Sequence, residues 1–168
     1  MPYHVRREAE NVMFIGPADG AERTEGDETY TFPEWGTRST GNTETVPTPD
    51  IVGKVIRDHV FFRERYVLAG GETVQFSEIG DPYNFFQDSV LGITAQDGFA
   101  VNCASEVTSD LQWILPIDET LLIWSSSSQF QVRSADSEAL TALTALVVRL
   151  SNIVMNDMVK PKLAAAKV

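Results

Sequence analysis

The chain has 168 residues, 43% of them hydrophobic and 22% charged, an ordinary globular composition that supports one domain with a real core and argues against disorder. Lys and Arg total 13 against 24 Asp and Glu, and the net charge of -11 is the opposite of the basic footprint that holds nucleic acid by neutralising phosphates, which speaks against tight DNA binding. No apolar run reaches the roughly 18 residues of a membrane-spanning helix, the N-terminal residues 1–8 lack the apolar core of a signal peptide, and a single cysteine, Cys103, rules out an internal disulfide.

The first elements are short. Residues 12–15 (Val-Met-Phe-Ile) form an apolar run stopped by Gly16 and Pro17, and residues 29–32 (Thr-Tyr-Thr-Phe) alternate until Pro33. Both read as strands, with the Gly-rich, charged residues 18–28 as a hairpin loop between them. Residues 34–50 contain Gly36, Gly41, Pro47 and Pro49 and read as a long surface excursion anchored by Trp35 and Arg38.

From His59 the pattern sharpens. Residues 59–62, 65–69 and 73–77, separated by tight turns that include Gly70-Gly71, predict three antiparallel strands. Residues 111–115, 120–124 and 129–132 repeat the design, with turns at Asp118-Glu119 and through Ser125 to Ser128. The pair Gln75-Phe76 recurs as Gln129-Phe130, about 54 residues on, and a repeat of about 50 residues made of short strands is the sequence signature of a propeller blade. A generic β meander is the simpler alternative. Such blades protect their edges by radial repetition, so a chain with only two needs neighbours.

The C-terminal part changes character. Ser134, Asp136 and Ser137 are capping residues, Glu138 follows in the first turn, and Leu140, Leu143, Val147, Leu150, Val154 and Met158 recur at spacings of three and four before Lys160-Pro161. This spacing predicts a helix over residues 139–159, with its apolar stripe as the candidate assembly contact. The β-branched pairs Val147-Val148 and Ile153-Val154 weigh against it. The expected fold class is therefore mainly β, with antiparallel strands in propeller-blade-like repeats over residues 1–135 and a C-terminal helix and tail over residues 136–168.

The segment Phe76-Ser77-Glu78-Ile79-Gly80-Asp81-Pro82-Tyr83-Asn84-Phe85-Phe86 resembles the hairpin end of the tail nozzle (tail tubular protein B) family of short-tailed bacteriophages, where a serine, a Gly-Asp pair and an aromatic-Asn-Phe cluster close a hairpin. The resemblance extends upstream through Trp35-Gly36-Thr37-Arg38, Gly41-Asn42, Pro47, Pro49, Val52-Gly53, residues 58–62 and Arg65. Downstream it continues through Asp97, Val101, residues 121–125 and Gln129-Phe130, and the opening residues 1–5 resemble a segment internal to the family's longer chain. It implies a structural component of the virion tail, made in the host cytoplasm and forming part of the DNA ejection conduit. It also implies tail adaptor and further nozzle subunits as partners, a homo-oligomeric ring that is hexameric in the family, transient passage of DNA, and no cofactor. An acidic wall suits such passage, because like charges keep a moving polyanion from sticking.

The same cluster has a physical reading of its own. Ser77 can bond a nearby amide, Gly80 supplies a backbone conformation that other residues resist, Asp81 can cap the turn begun by Pro82, Tyr83, Phe85 and Phe86 can plug the space beneath the hairpin, and Asn84 joins Asp81, Tyr83 and Phe85 in holding the turn together. This is an anchor and not an active site. Enzymatic alternatives find little support. His4 and His59 have no partners at metal-ligand spacing. The serines 125–128 lack a nucleophile elbow, and Gly70-Gly71 precede a strand instead of opening a phosphate-binding helix. The pairs Glu78 with Asp81, and Asp97 with Asp110, carry no feature that sets their separation for glycoside hydrolysis. No catalytic, metal or cofactor residue is expected. The remaining alternative is a free-standing carbohydrate- or surface-binding β module that uses Trp113 and Trp124, on adjacent predicted strands, as a platform.

Overall fold

The computed structural model describes residues 3–9, 12–105, 108, 110–135, 139–156 and 158–163. They form antiparallel β structure in two compact units, residues 1–37 and 38–168. In the first unit, β1 (Tyr3–Ala9) pairs with β2 (Val12–Pro17), and β3 (Glu22–Glu25) pairs with β4 (Glu28–Thr31). The expected loop over residues 18–28 thus contains a strand of its own. Gly26, at φ 64°, supplies the left-handed conformation that lets the chain reverse within two residues, so Arg23 and Thr24 lie opposite Tyr30 and Thr29. Phe14 and Phe32 are buried, with the Tyr30 ring 5.9 Å from the first and 5.1 Å from the second.

The second unit holds two four-stranded meanders. The first is β5 (Ile56–Phe62), β6 (Arg65–Gly70), β7 (Thr73–Phe76) and β8 (Phe99–Asn102). The second is β9 (Leu111–Ile117), β10 (Thr120–Ser125), β11 (Gln129–Ser134) and β12 (Ala145–Ser151). Arg63 and Glu64 both take positive φ, 50° and 61°, the backbone of a two-residue hairpin whose twist matches its strands. The repeat is legible in the packing: Val67, Ala69 and Phe76 of the first meander and Leu121, Ile123 and Phe130 of the second are all buried in one shared core. It fails at the fourth strand, because residues 77–98 make a long excursion before β8 while residues 135–144 suffice before β12.

Polar links join the two sheets. The Gly71 carbonyl, in the β6–β7 turn, accepts the Leu111 amide at the start of β9 at 2.7 Å. Asp58, buried in β5, accepts the Ile114 amide at 2.9 Å and the Lys160 ammonium at 2.6 and 2.7 Å. A backbone donor in β9 is therefore satisfied by a side chain from β5, which ties the register of one sheet to the other.

The predicted helix over residues 139–159 is not there. Residues 145–151 are β12, paired with β11 from Ser134↔Ala145 to Gln129↔Ser151, and no described residue is helical. Thr141 and Thr144 make a side-chain-closed turn in which the Ala145 amide donates to the Thr141 carbonyl at 2.9 Å, and this turns the chain back onto the free edge of β11. Val147 and Val148 suit a pleated surface better than a helix, and the open edge satisfies the backbone groups that a helix would have satisfied internally. Of the expected capping group, Ser134 is instead the last residue of β11, paired with Ala145; residues 136–138 and the tail at residues 164–168 lie outside the described residues.

Candidate functional site: a buried arginine and the loop it organises

Arg65 begins β6 and is 1% exposed. Its Nη1 donates to the carbonyls of Ser77 (2.5 Å), Asp97 (2.8 Å) and Gln96 (3.2 Å), its Nη2 donates to the Ala95 carbonyl at 2.6 Å, and the guanidinium lies 5.2 Å from the Phe99 ring centroid. Burial lowers its pKa, and the negative charges of Asp97 and Glu78 act in the opposite direction. The group stays protonated because an arginine side chain does not lose its proton at accessible pH. One cation thus gathers both ends of the excursion at residues 77–98.

Asp97 organises the far end. It is 1% exposed, and its carboxylate accepts the Thr94 amide at 2.7 Å, the Thr94 hydroxyl at 2.9 Å and the Asp88 amide at 3.3 Å. At the near end the aromatic-Asn-Phe cluster closes on itself. Ser77 accepts the Tyr66 amide at 2.9 Å and donates to the Glu78 carbonyl at 2.9 Å. Gly80 sits at φ 80° and donates its amide to the Glu64 carbonyl at 3.1 Å. The Asp81 carboxylate accepts the Tyr83 amide at 3.0 Å, in the turn that contains Pro82. Asn84 donates to Glu78 at 2.7 Å and accepts the Phe86 amide at 3.0 Å. Partial burial raises the Glu78 pKa, helped by the charges of Asp88 and Asp81 and opposed by the Asn84 hydrogen bond. Phe85 is buried where the backbone of Gly98 passes so close that a Cβ there would stand 2.7 Å from the Phe85 carbonyl.

The structure therefore brings Ser77, Gly80, Asp81, Pro82, Tyr83, Asn84 and Phe85 into one compact turn. The carboxylates singled out as an enzymatic alternative serve separate jobs: Glu78 and Asp81 hold this turn, Asp97 holds the next, and Asp110 lies at the surface with Arg57 at 4.0 Å. His59 is exposed and edge-on to Tyr66. Ser125 and Ser128 bond each other across the β10–β11 turn. Among the described residues, no three of His, Cys, Asp and Glu come together as metal ligands. Arg65 and Asp97 gather the loop's buried hydrogen bonds, and neither was singled out as an anchor, although both lie among the residues that carry the family resemblance.

Cys103 is 2% exposed. Burial, with the Glu72 charge behind it, pushes its thiol up to about 12 from 9.0. A raised folded-state pKa means that the unfolded chain releases this proton first, so stability is full below pH 9.0 and is lost as the pH rises toward about 12. Thiol titration with a disulfide reagent at pH 8 is expected to show no reaction in the native state and full reaction in urea. Alkaline unfolding midpoints should shift upward in Cys103→Ala.

A second feature is the outer face of the β9–β12 sheet. Along β10, Leu121 and Ile123 enter the core while Leu122 and Trp124 point away from it. Leu122 is flanked by Leu115 and Gln131, with Val148 beyond, and Trp124 by Trp113 and Gln129; all are half-buried. Lys160 rests over the Trp113 ring, 5.5 Å from its centroid. Of the stripe expected to make assembly contacts, Leu140 is buried in the core and Val147 packs against it, while Leu143, Leu150, Val154 and Met158 are exposed.

A family model described as bacteriophage nozzle protein matches residues 1–168. Tail tubular protein gp12 of Escherichia phage T7 is 32% identical over 106 residues, which cover 63% of this chain and 13% of that protein. The chain thus spans a small part of the length of the curated relative it matches. With a model match over its whole length, the chain belongs to the bacteriophage nozzle protein family.

Proposed function

We propose that this chain is a non-catalytic structural part of a phage tail nozzle, built of consecutive blade-like units and located in the virion tail, where it helps to line the conduit for DNA ejection. The observation that carries this reading is the outer face of the second meander. Its inner face packs on the first meander, as one repeat packs on the next, while Leu115, Leu122, Trp124 and Val148 on the opposite face remain half-exposed. A repeat that buries one face and leaves a second apolar face open is built to stack again. The partner is a further unit of the same kind or another tail protein, with the exposed Leu143, Leu150, Val154 and Met158 as further assembly contacts. The net charge of -11 fits a wall that DNA passes without being held.

Native mass spectrometry tests this reading. The chain is expected to associate at about 10 µM, and Leu122→Glu, which puts a charge on the outer face without touching the core, is expected to return it to a monomer. A parent chain that is monomeric throughout and binds glycans through Trp113 and Trp124 would replace this reading with that of a carbohydrate-binding module. Retention of duplex DNA in a gel shift at about 1 µM protein and physiological salt would overturn the passive-wall part of it.

A further inference from the structure

One row of the outer face of the β9–β12 sheet has the chain's own backbone laid along it. Ser151, Gln129, Trp124 and Trp113 stand opposite one another on β12, β11, β10 and β9, and the segment that leaves β12, residues 152–163, is fastened at both ends of this row. The Gln129 Nε2 donates to the Ile153 carbonyl at 2.9 Å, while the Gln129 Oε1 accepts the Ser151 hydroxyl. Across the sheet, the Lys160 ammonium lies over Trp113 and bonds both oxygens of Asp58 at 2.6 and 2.7 Å. Trp113 faces outward, since its chain neighbour Ile114 enters the core. Even so, its indole Nε1 is buried and has no hydrogen-bond partner among the described residues, and Lys160 is the side chain seated on that ring. A buried donor left unpaired is destabilising by about 1–3 kcal/mol, which favours any rearrangement that reopens the row.

The segment is slack. From Ile153 to Lys160 the chain can reach about 23 Å at about 3.3 Å per residue, whereas β11 and β9 are two strand spacings apart, about 10 Å. The surplus stands away from the sheet, with Val154 78% and Met158 87% exposed, so the segment covers the row while burying little apolar surface of its own. Among the described residues, only the Gln129–Ile153 bond and the Lys160 contacts with Asp58 and Trp113 fasten it to the sheets. Asp58 also accepts the Ile114 amide, so its carboxylate keeps a partner when Lys160 leaves. We propose that residues 152–163 are a displaceable strap, latched by Lys160 on Asp58, that competes with the next unit for the row of Trp113 and Trp124. This rests on the stacking reading above. Leu115 and Leu122 form the adjoining row of the same face, where a neighbour can settle first; to take the tryptophans it must replace the strap's contacts with its own. The strap thereby sets a threshold on assembly, because only a partner that binds the open row better than the strap does can shift the chain to it.

Indole hydrogen exchange by NMR and native mass spectrometry of the whole chain test the two halves of the proposal. Lys160→Ala opens the latch, and Gln129→Ala frees the opposite end at a side chain outside the core, which keeps the test intact should Lys160→Ala fail to fold. In either variant the Trp113 indole N–H is expected to exchange about tenfold faster than in the parent, and association near about 10 µM to tighten about tenfold. Unchanged indole exchange in both variants, with the fold intact, overturns the inference, since the row then stays covered without its fastenings. Faster exchange with unchanged or weaker association, while Leu122→Glu still yields a monomer, shows that the strap is no competitor; the inference falls and the stacking reading stands. Faster exchange with the parent and both variants monomeric at every concentration overturns the stacking reading itself, and the competition with it.

Discussion

Arg65→Met is expected to lose about 3–5 kcal/mol of stability in urea unfolding, among the largest effects of any single substitution in this chain. Met carries the side chain only about as far as Nε, so the loss combines the hydrogen bonds with the guanidinium's contact with Phe99. Four carbonyls, those of Ser77, Ala95, Gln96 and Asp97, lose the guanidinium donor; Gln96 keeps the Ile79 amide, and the residues at two of the other positions, Ser77 and Asp97, are themselves buried. Each buried acceptor without a partner costs about 1–3 kcal/mol. Arg65→Lys should recover only part of the loss, because an ammonium is a point donor and cannot reach both the Ser77 and Ala95 sides as the planar fork does. Amide exchange adds a local readout: protection of Ile79, whose amide donates to the Gln96 carbonyl, should fall further than protection of β10. A loss below about 1 kcal/mol would mean that the excursion is held by something other than Arg65.

Phe85→Ala is expected to cost about 3–5 kcal/mol, because it removes a buried ring and leaves a void that the surroundings only partly refill. Relaxation is limited here by backbone. Gly98 already lies against the Phe85 main chain, and the Glu78–Asn84 and Asn84–Phe86 hydrogen bonds hold the turn on either side. At about 2–4 °C per kcal/mol for a chain of this size, the melting temperature should drop by about 10 °C. Aromatics displayed for recognition behave differently: truncating them leaves melting nearly unchanged and weakens a partner complex. If Phe85→Ala melts within about a degree of the parent, the cluster is a contact surface and its role as an anchor falls.

What the sequence determined by itself is the set of strands whose evidence is local. Residues 59–62, 65–69, 73–77, 111–115, 120–124 and 129–132 carry alternation, β-branched and aromatic side chains, and turns that the flanking glycines, serines and acidic residues dictate. The structure finds strands β5–β7 and β9–β11 there, though Gln75-Phe76 closes β7 while Gln129-Phe130 opens β11. The compact turn around Asp81 and Asn84 was equally legible, since a short side chain bonding an amide two residues on needs nothing from the rest of the chain. Tertiary structure decided what depends on distant partners. Residues 139–159 offer apolar positions compatible with either period, and only the open edge of β11 makes residues 145–151 a strand. Residues 22–25 are polar enough to read as loop, and they become β3 only by pairing with β4. Arg65 and Asp97 look like ordinary surface charges until the chain brings Ser77 and residues 94–97 around them. Hydrophobic periodicity records which face of an element is buried, whereas the destination of a buried polar group is set by residues that meet only after folding.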